Sequence, residues 1–172
     1  MNNCILRLEE PKNEPVYDYA PGTSQRKLLK EELARQKSSI VEIPQWIGGQ
    51  KVYSGNTVEI RPPHELSRVI GKYHRGSKED VAKAIECALK AGREWRSIPW
   101  TERISVFLKA AELISGPYRY KINAATMLCQ SKNVYQAEID AACELTDFLR
   151  FNCYYAKKIY ESQPTSPSPT LN

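Results

Sequence analysis

The chain has no long hydrophobic run: none of its 172 residues lies in a stretch approaching the ~18 consecutive apolar residues of a membrane span, so no bilayer crossing is expected. It is poor in histidine, with only His64 and His74 and no HxxxH pair, which argues against a histidine metal centre. Its five cysteines (Cys4, Cys87, Cys129, Cys143 and Cys153) are odd in number and never fall at CxxC spacing, so neither a zinc knuckle nor a complete disulfide framework is indicated. Cys143 and Cys153 lie roughly 15 Å apart on one helical pattern, too far for a bridge, and a reducing compartment is expected. Eight glycines against eleven prolines exclude a collagenous or linker-like polymer. Charge of one sign is lacking as well: 25 Lys+Arg stand against 20 Asp+Glu, and the bases alternate with acids, as in Arg26-Lys27-Leu28-Leu29-Lys30-Glu31-Glu32. That pattern reads as a solvated mixed-sign surface, so no nucleic-acid partner is expected. The segment Cys4-Ile5-Leu6-Arg7-Leu8 is too short for a secretory core, and Glu9-Glu10 does not suit a mitochondrial presequence, so no targeting segment can be read.

What remains is ordinary for a soluble folded protein, 41% hydrophobic and 26% charged. Residues 1–22 carry Pro11, Pro15 and Pro21-Gly22 without periodicity and read as an extended arm. A helix is predicted from about Thr23 to Lys37, capped by Thr23 or Ser24, with Leu28, Leu29 and Leu33 on one stripe. Between 40 and 60 the β-formers dominate, and Gly48-Gly49 between two such runs signals a hairpin; a further turn is expected at Ser54-Gly55-Asn56. After Pro62-Pro63, residues 69–73 resume as a short strand.

The period then changes from two to 3.6. Ser77 and Asp80 form a capping-box variant ahead of a helix whose apolar face carries Val81, Ala84, Ile85, Ala88, Leu89 and Trp95. Pro99 ends it, and Thr101 is expected to cap the next helix, which Gly116-Pro117 stops. A third helical pattern runs from Tyr118 to Cys129. The longest spans about Val134 to Tyr160 without internal Gly or Pro, with Ile139, Ala142, Leu145, Leu149 and Cys153 as its apolar side. Strands precede helices, as in an α+β layout, yet several helical faces look wider than their neighbours can cover.

Catalytic devices are scarce. There is no GxGxxG, no GxxxxGK[ST] and no GxSxG. Asp140, Glu144 and Asp147 at i, i+4 and i+7 read as a solvated acidic stripe with Arg150 as partner, and Glu138, on another side of the same helix, has no evident partner.

The order of segments resembles the N-terminal part of the aldehyde dehydrogenase superfamily. The marks are Val69-Ile70-Gly71-Lys72, Ser77-Lys78-Glu79-Asp80-Val81, Ala88-Leu89-Lys90-Ala91 with Trp95, Thr101-Glu102-Arg103, and Phe107-Leu108-Lys109-Ala110-Ala111-Glu112-Leu113-Ile114 before the long helix. Asn13-Glu14-Pro15-Val16, the stretch to Ser115-Gly116-Pro117, and Gln136-Ala137-Glu138-Ile139-Asp140-Ala141-Ala142 running to Asp147-Phe148-Leu149-Arg150-Phe151-Asn152 are similar to its glutamate γ-semialdehyde dehydrogenase branch. The resemblance covers about Asn13 to Asn172.

It implies an α/β parent fold, of which this segment is mostly α with a few N-terminal β-strands. Residues 1–22 would be the arm, 23–162 an incomplete NAD-binding domain, and 163–172 the start of a β-arm for homo-oligomerisation. The implied reaction is NAD-dependent oxidation of the small-molecule substrate glutamate γ-semialdehyde to glutamate, in the mitochondrial matrix. The family's nucleophilic cysteine, glutamate base and NAD-gripping residues fall outside this segment, so the chain alone is expected to be inactive. One substrate-binding residue is implied: Glu144, in Cys143-Glu144-Leu145-Thr146-Asp147, would meet the substrate's amino group. Ser131 and Asn133 depart from the Gly and Thr usual in relatives, and are expected to alter a helix cap rather than chemistry. The alternative is a non-catalytic helical protein that binds a partner through its uncovered faces.

Overall fold

The computed structural model describes residues 8–166 and 169. Residues 8–20 run as an arm without helix or strand. Helix α1 (Ser24–Lys37) begins where the Thr23 hydroxyl accepts the Arg26 N–H, the predicted cap. Leu29 is buried, whereas Leu28 stays 44% exposed. With Tyr19 of the arm and Ala124, Leu29 makes the centre of a small core, flanked by Tyr17, Leu33, Tyr120, Met127 and Val134.

The strands form two small sheets. β2 (Gln45–Ile47) and β3 (Gln50–Val52) pair antiparallel across Gly48-Gly49, the predicted hairpin. Both glycines have positive φ, 59° and 78°, as a two-residue hairpin turn requires. A Cβ on Gly48 would also meet the Cys87 sulfur at 3.1 Å, so the hairpin presses directly on the following helix. β1 (Val41–Ile43), β4 (Thr57–Ile60) and β5 (Gly71–His74) form the other sheet in the order β1-β5-β4, with β1 parallel and β4 antiparallel to β5. His74 is a structural histidine: its Nδ1 accepts the Gly55 N–H at 3.2 Å while Nε2 meets Glu42 at 2.9 Å.

Helix α2 (Lys78–Ser97) opens with the predicted Ser77–Asp80 capping box. Its apolar stripe is uncovered: no α2 residue is buried, and Val81, Ile85 and Leu89 are 57%, 56% and 71% exposed. Helix α3 (Trp100–Ser115) starts two residues earlier than expected, with Pro99 at its N-cap and no side-chain cap, so Thr101 lies inside the first turn and does not cap. α3 lies against the last helix, where Ile104 and Ala111 are buried and Trp100 stacks on Tyr160. Helix α4 (Arg119–Gln130) ends at Ser131 in the left-handed region, φ 56°, a conformation that glycine adopts without strain.

The predicted single long helix is interrupted. α5 (Val134–Ala137) passes into a π-helical turn, Glu138–Cys143, before α6 (Glu144–Glu161). In the wider turn residues five apart stack, and the Cys143 sulfur lies 3.8 Å from Glu138 Oε1. The resulting rotation corrects the expected apolar side. Ala142 and Cys153 are buried as anticipated, but Thr146 and Lys157 join them, and Leu145 is 41% exposed. Residues 163–166 carry no helix or strand; of the segment expected to begin a β-arm, 167, 168 and 170–172 lie outside the described residues.

Candidate functional site

The chain's strongest polar cluster forms where the arm crosses α4 and the π-helical turn. Glu138 is fully buried, at 0% exposure, and Arg119 is 1% exposed. Arg119 donates to Glu138 through Nε, at 3.1 Å, and through Nη2. Glu138 also accepts the Tyr17 N–H at 2.9 Å, the Tyr19 hydroxyl at 2.7 Å and the Asn123 amide at 2.7 Å. The remaining Arg119 donors reach the Glu14 carboxylate at 2.6 Å and the Pro15 carbonyl at 2.6 Å, and its guanidinium covers the Tyr17 ring at 3.9 Å.

Burial alone would raise the Glu138 pKa, but the bonds from Arg119, Tyr19 and the Tyr17 N–H outweigh it and hold the carboxyl below its ordinary range. Burial first, and then the hydrogen bond to Glu138, pushes the Tyr19 hydroxyl upward. Burial, reinforced by Glu138, pushes the Cys143 thiol up to about 11, which leaves it protonated and unreactive at neutral pH.

Glu138 thus corrects the sequence reading, which gave it no partner. Its partners are Tyr17 and Tyr19 of the arm, about 120 residues away, and Arg119 and Asn123 of α4, 19 and 15 residues away, and none of these lies at a helical spacing that could be read locally.

On the outer side of the same helix lies an open cleft of about 440 Å³, lined by Asn13, Glu144, Asp147, Phe148, Phe151, Asn152 and Tyr155. Phe148 and Tyr155 are exposed at 62% and 53%, so its walls are apolar and aromatic. The two carboxylates at the cleft differ. Asp147 is occupied: Oδ2 accepts the Asn13 amide at 2.8 Å and Oδ1 the Glu14 N–H at 2.7 Å. Glu144, the substrate-binding candidate, is exposed and makes no hydrogen bond or ion pair among the described residues. Asp140, the third member of the supposed stripe, pairs with Lys132. Arg150 pairs with Glu14 at 2.5 Å, and with none of the three. The expected stripe is therefore three carboxylates with three separate fates, because the π-helical turn and the arm separate their surroundings.

A free carboxylate beside aromatic walls suits an ammonium group on a short, partly apolar chain. No cysteine lines the cleft among the described residues: the nearest in sequence, Cys143, is buried and tied to the Arg119 cluster. Among the described residues no group of three His, Cys, Asp or Glu side chains is arranged to hold a metal ion.

The one helix that directly follows a strand of the three-stranded sheet is α2, and its N-terminus is closed by its own residues. Asp80 accepts the Ser77 N–H at 2.9 Å and takes the Gln45 amide, and a Cβ on Gly76 would meet Gln45 Oε1 at 2.8 Å.

The family model described as "Aldehyde dehydrogenase family" matches residues 50–171. The delta-1-pyrroline-5-carboxylate dehydrogenase of Agaricus bisporus is 47% identical over 167 residues, 96% of this chain and 31% of the relative. The probable delta-1-pyrroline-5-carboxylate dehydrogenase of Schizosaccharomyces pombe is 43% identical, over 95% of this chain and 30% of its own length. Among solved structures, delta-pyrroline-5-carboxylate dehydrogenase from Mycobacterium tuberculosis bound with NAD superposes with a TM-score of 0.94 at 44% identity, covering 97% of this chain and 31% of that one. The chain spans about a third of the length of the proteins it matches, a mostly helical part of an α/β fold with a few strands.

Proposed function

This chain belongs to the aldehyde dehydrogenase family, and from that premise we propose that it is the N-terminal part of an NAD-dependent dehydrogenase that oxidises L-glutamate γ-semialdehyde to L-glutamate. Residues 23–162 are then part of the NAD-binding domain, and 163–172 lead into a β-arm used in homo-oligomerisation. The observation that carries the reading is Glu144: an unpaired carboxylate in an aromatic-walled cleft, in a chain closely similar over nearly its whole length to delta-1-pyrroline-5-carboxylate dehydrogenases. Relatives from Dictyostelium discoideum and Danio rerio carry mitochondrial names, which supports a mitochondrial matrix location for this protein.

The semialdehyde carries an ammonium and a carboxylate beside its aldehyde. Glu144 supplies a fixed negative charge to the ammonium, which orients the chain while Phe148, Phe151 and Tyr155 flank its methylenes. Bound NAD would supply the hydride acceptor, and the part proposed for the residues named here is to bind and orient substrate. The uncovered stripe of α2 and the aromatic rim of the cleft are the faces on which the rest of the enzyme packs. The alternative, a non-catalytic interaction protein, would use the same faces for a separate partner.

The test compares the 172-residue chain with the full-length enzyme that continues it. The full-length enzyme should reduce NAD with glutamate γ-semialdehyde, and the short chain should not. Glu144→Gln should cut kcat/KM for that substrate by about ten- to a hundred-fold, the scale of a lost charge-assisted hydrogen bond, while sparing a same-length aldehyde without the amino group. Equal loss on both aldehydes, or activity in the short chain, would overturn the reading.

A further inference from the structure

Two carboxylates, Glu144 and Asp147, sit one helical turn apart on the cleft, and they look interchangeable until their partners are counted. Both Asp147 oxygens are spent on the arm, one on the Asn13 side chain and one on the Glu14 backbone N–H. Asn13 is in turn a wall of the cleft that contains Glu144. The arm is anchored more deeply by Glu14, whose carboxylate bridges Arg119 at 2.6 Å and Arg150 at 2.5 Å, and by Pro15 and Tyr17. Those anchors fix residues 14–17 but hold nothing at Asn13. Among the described residues, Asp147 is the side chain that holds Asn13 at the cleft.

We infer that Asp147 is a latch and not a second substrate ligand: it holds Asn13 against the cleft, and by closing that side it sets how strongly Glu144 discriminates for an ammonium-bearing substrate. The physical reason is dielectric. An ion pair open to water contributes about 0–1 kcal/mol, whereas the same pair beside a fixed wall with less solvent is stronger. Asn13 lines the cleft on the arm side, and its neutral amide does not compete for the ammonium. Asp147 acts through Asn13 and Glu14 and is a positioning residue. The inference rests on the reading of Glu144 given above.

The chemistry of the latch supplies its own control. Asp147→Asn keeps it: the new carbonyl accepts the Glu14 N–H, and the new NH2 donates to Asn13 once that amide flips its oxygen toward it. Asp147→Ala loses both bonds, and Asn13→Ala removes the side-chain bond from the arm side without touching α6 or adding charge to the cleft. In the full-length enzyme, Asp147→Ala and Asn13→Ala should raise KM for glutamate γ-semialdehyde about ten-fold more than KM for the aldehyde lacking the amino group, with kcat falling less than KM rises. Asp147→Asn should stay within about two-fold of the parent in that preference. A direct ligand would behave otherwise, since Asp147→Asn would then be as damaging as Asp147→Ala. That result would overturn the latch, and so would unchanged preference in Asp147→Ala.

Hydrogen exchange of the Glu14 amide judges the latch independently of activity. Protection in the parent and in Asp147→Asn, with at least about ten-fold faster exchange in Asp147→Ala, supports it; equal exchange in all three refutes it. If Asp147→Ala does not fold, Asn13→Ala carries the KM measurement, and unchanged preference in it refutes the latch. Glu144→Gln run alongside separates the two ideas: a preference indifferent to Glu144 refutes the substrate reading, while the exchange data still decide the latch.

Discussion

Replacing Arg119 by Met tests whether the buried cluster is the element that fastens the arm to the helices. Methionine keeps most of the apolar stem and removes the charge and all donors. The change strips Glu138 of its counter-ion at a site with 0% exposure, and breaking a buried pair by deleting one partner costs about 3–5 kcal/mol. Glu138 retains the Tyr17 N–H, the Tyr19 hydroxyl and the Asn123 amide, which favours the lower end of that range. The Pro15 carbonyl and one side of Glu14 also lose their donor, which works in the opposite direction.

Urea denaturation followed by circular dichroism at pH 7 reads the loss as a shift in midpoint. The double variant Arg119→Met/Glu138→Gln removes the stranded charge and should recover at least about 1 kcal/mol of it. Acid supplies a second check. In the parent the Glu138 pKa lies below its ordinary value, so its contribution is present above the unfolded-state pKa near ~4.3 and is lost as pH falls through the lower folded value. In the variant burial acts unopposed by arginine and the folded pKa rises, so protonation relieves the strain as pH falls. The difference between parent and variant should therefore narrow between pH 7 and pH 4. A loss below about 1 kcal/mol at pH 7, or a gap that widens in acid, would refute the assignment of the cluster as the element that fastens the arm.

Two further outcomes follow from single groups. Cys143, buried and with its thiol pushed up to about 11, should resist iodoacetamide at pH 7.5 in the folded protein and react only in urea, as read by mass spectrometry; fast labelling in the native state would show that the arm does not seal it. Asn133→Ala should cost about 1 kcal/mol in the same denaturation experiment, because Asn133 and Gln136 each accept the other's backbone N–H at the start of α5; a neutral result would mean that the cap is idle.

Features confined to four or five consecutive residues were legible in the sequence. The Thr23 cap, the Ser77–Asp80 box and the Gly48-Gly49 turn each depend on partners within that reach, so residue type and spacing carry the information. Ser131 was legible as a departure at a glycine position, and it does adopt the left-handed conformation that glycine favours, while Asn133 caps the helix that follows. The parallel pairing of β1 with β5, thirty residues apart, was not legible, because a three-residue strand has no pattern that selects its partner.

The π-helical turn is the costliest omission, because it controls which carboxylate does what. Nothing between Val134 and Tyr160 breaks helical periodicity, and a strict 3.6 repeat placed Asp140, Glu144 and Asp147 together with Arg150 as their partner. The π-helical turn lets Glu138 and Cys143 stack toward Arg119, which requires a buried cation from α4 to be present before the turn has a reason to form. Once the arm crosses that point, Glu14 takes Arg150 and Asp147 takes Asn13, which leaves Glu144 alone unpaired on the cleft. The candidate site is thus what remains after long-range pairing has claimed Asp147 and Arg150, and a remainder of that kind can be read only when the arm that claims them is in place.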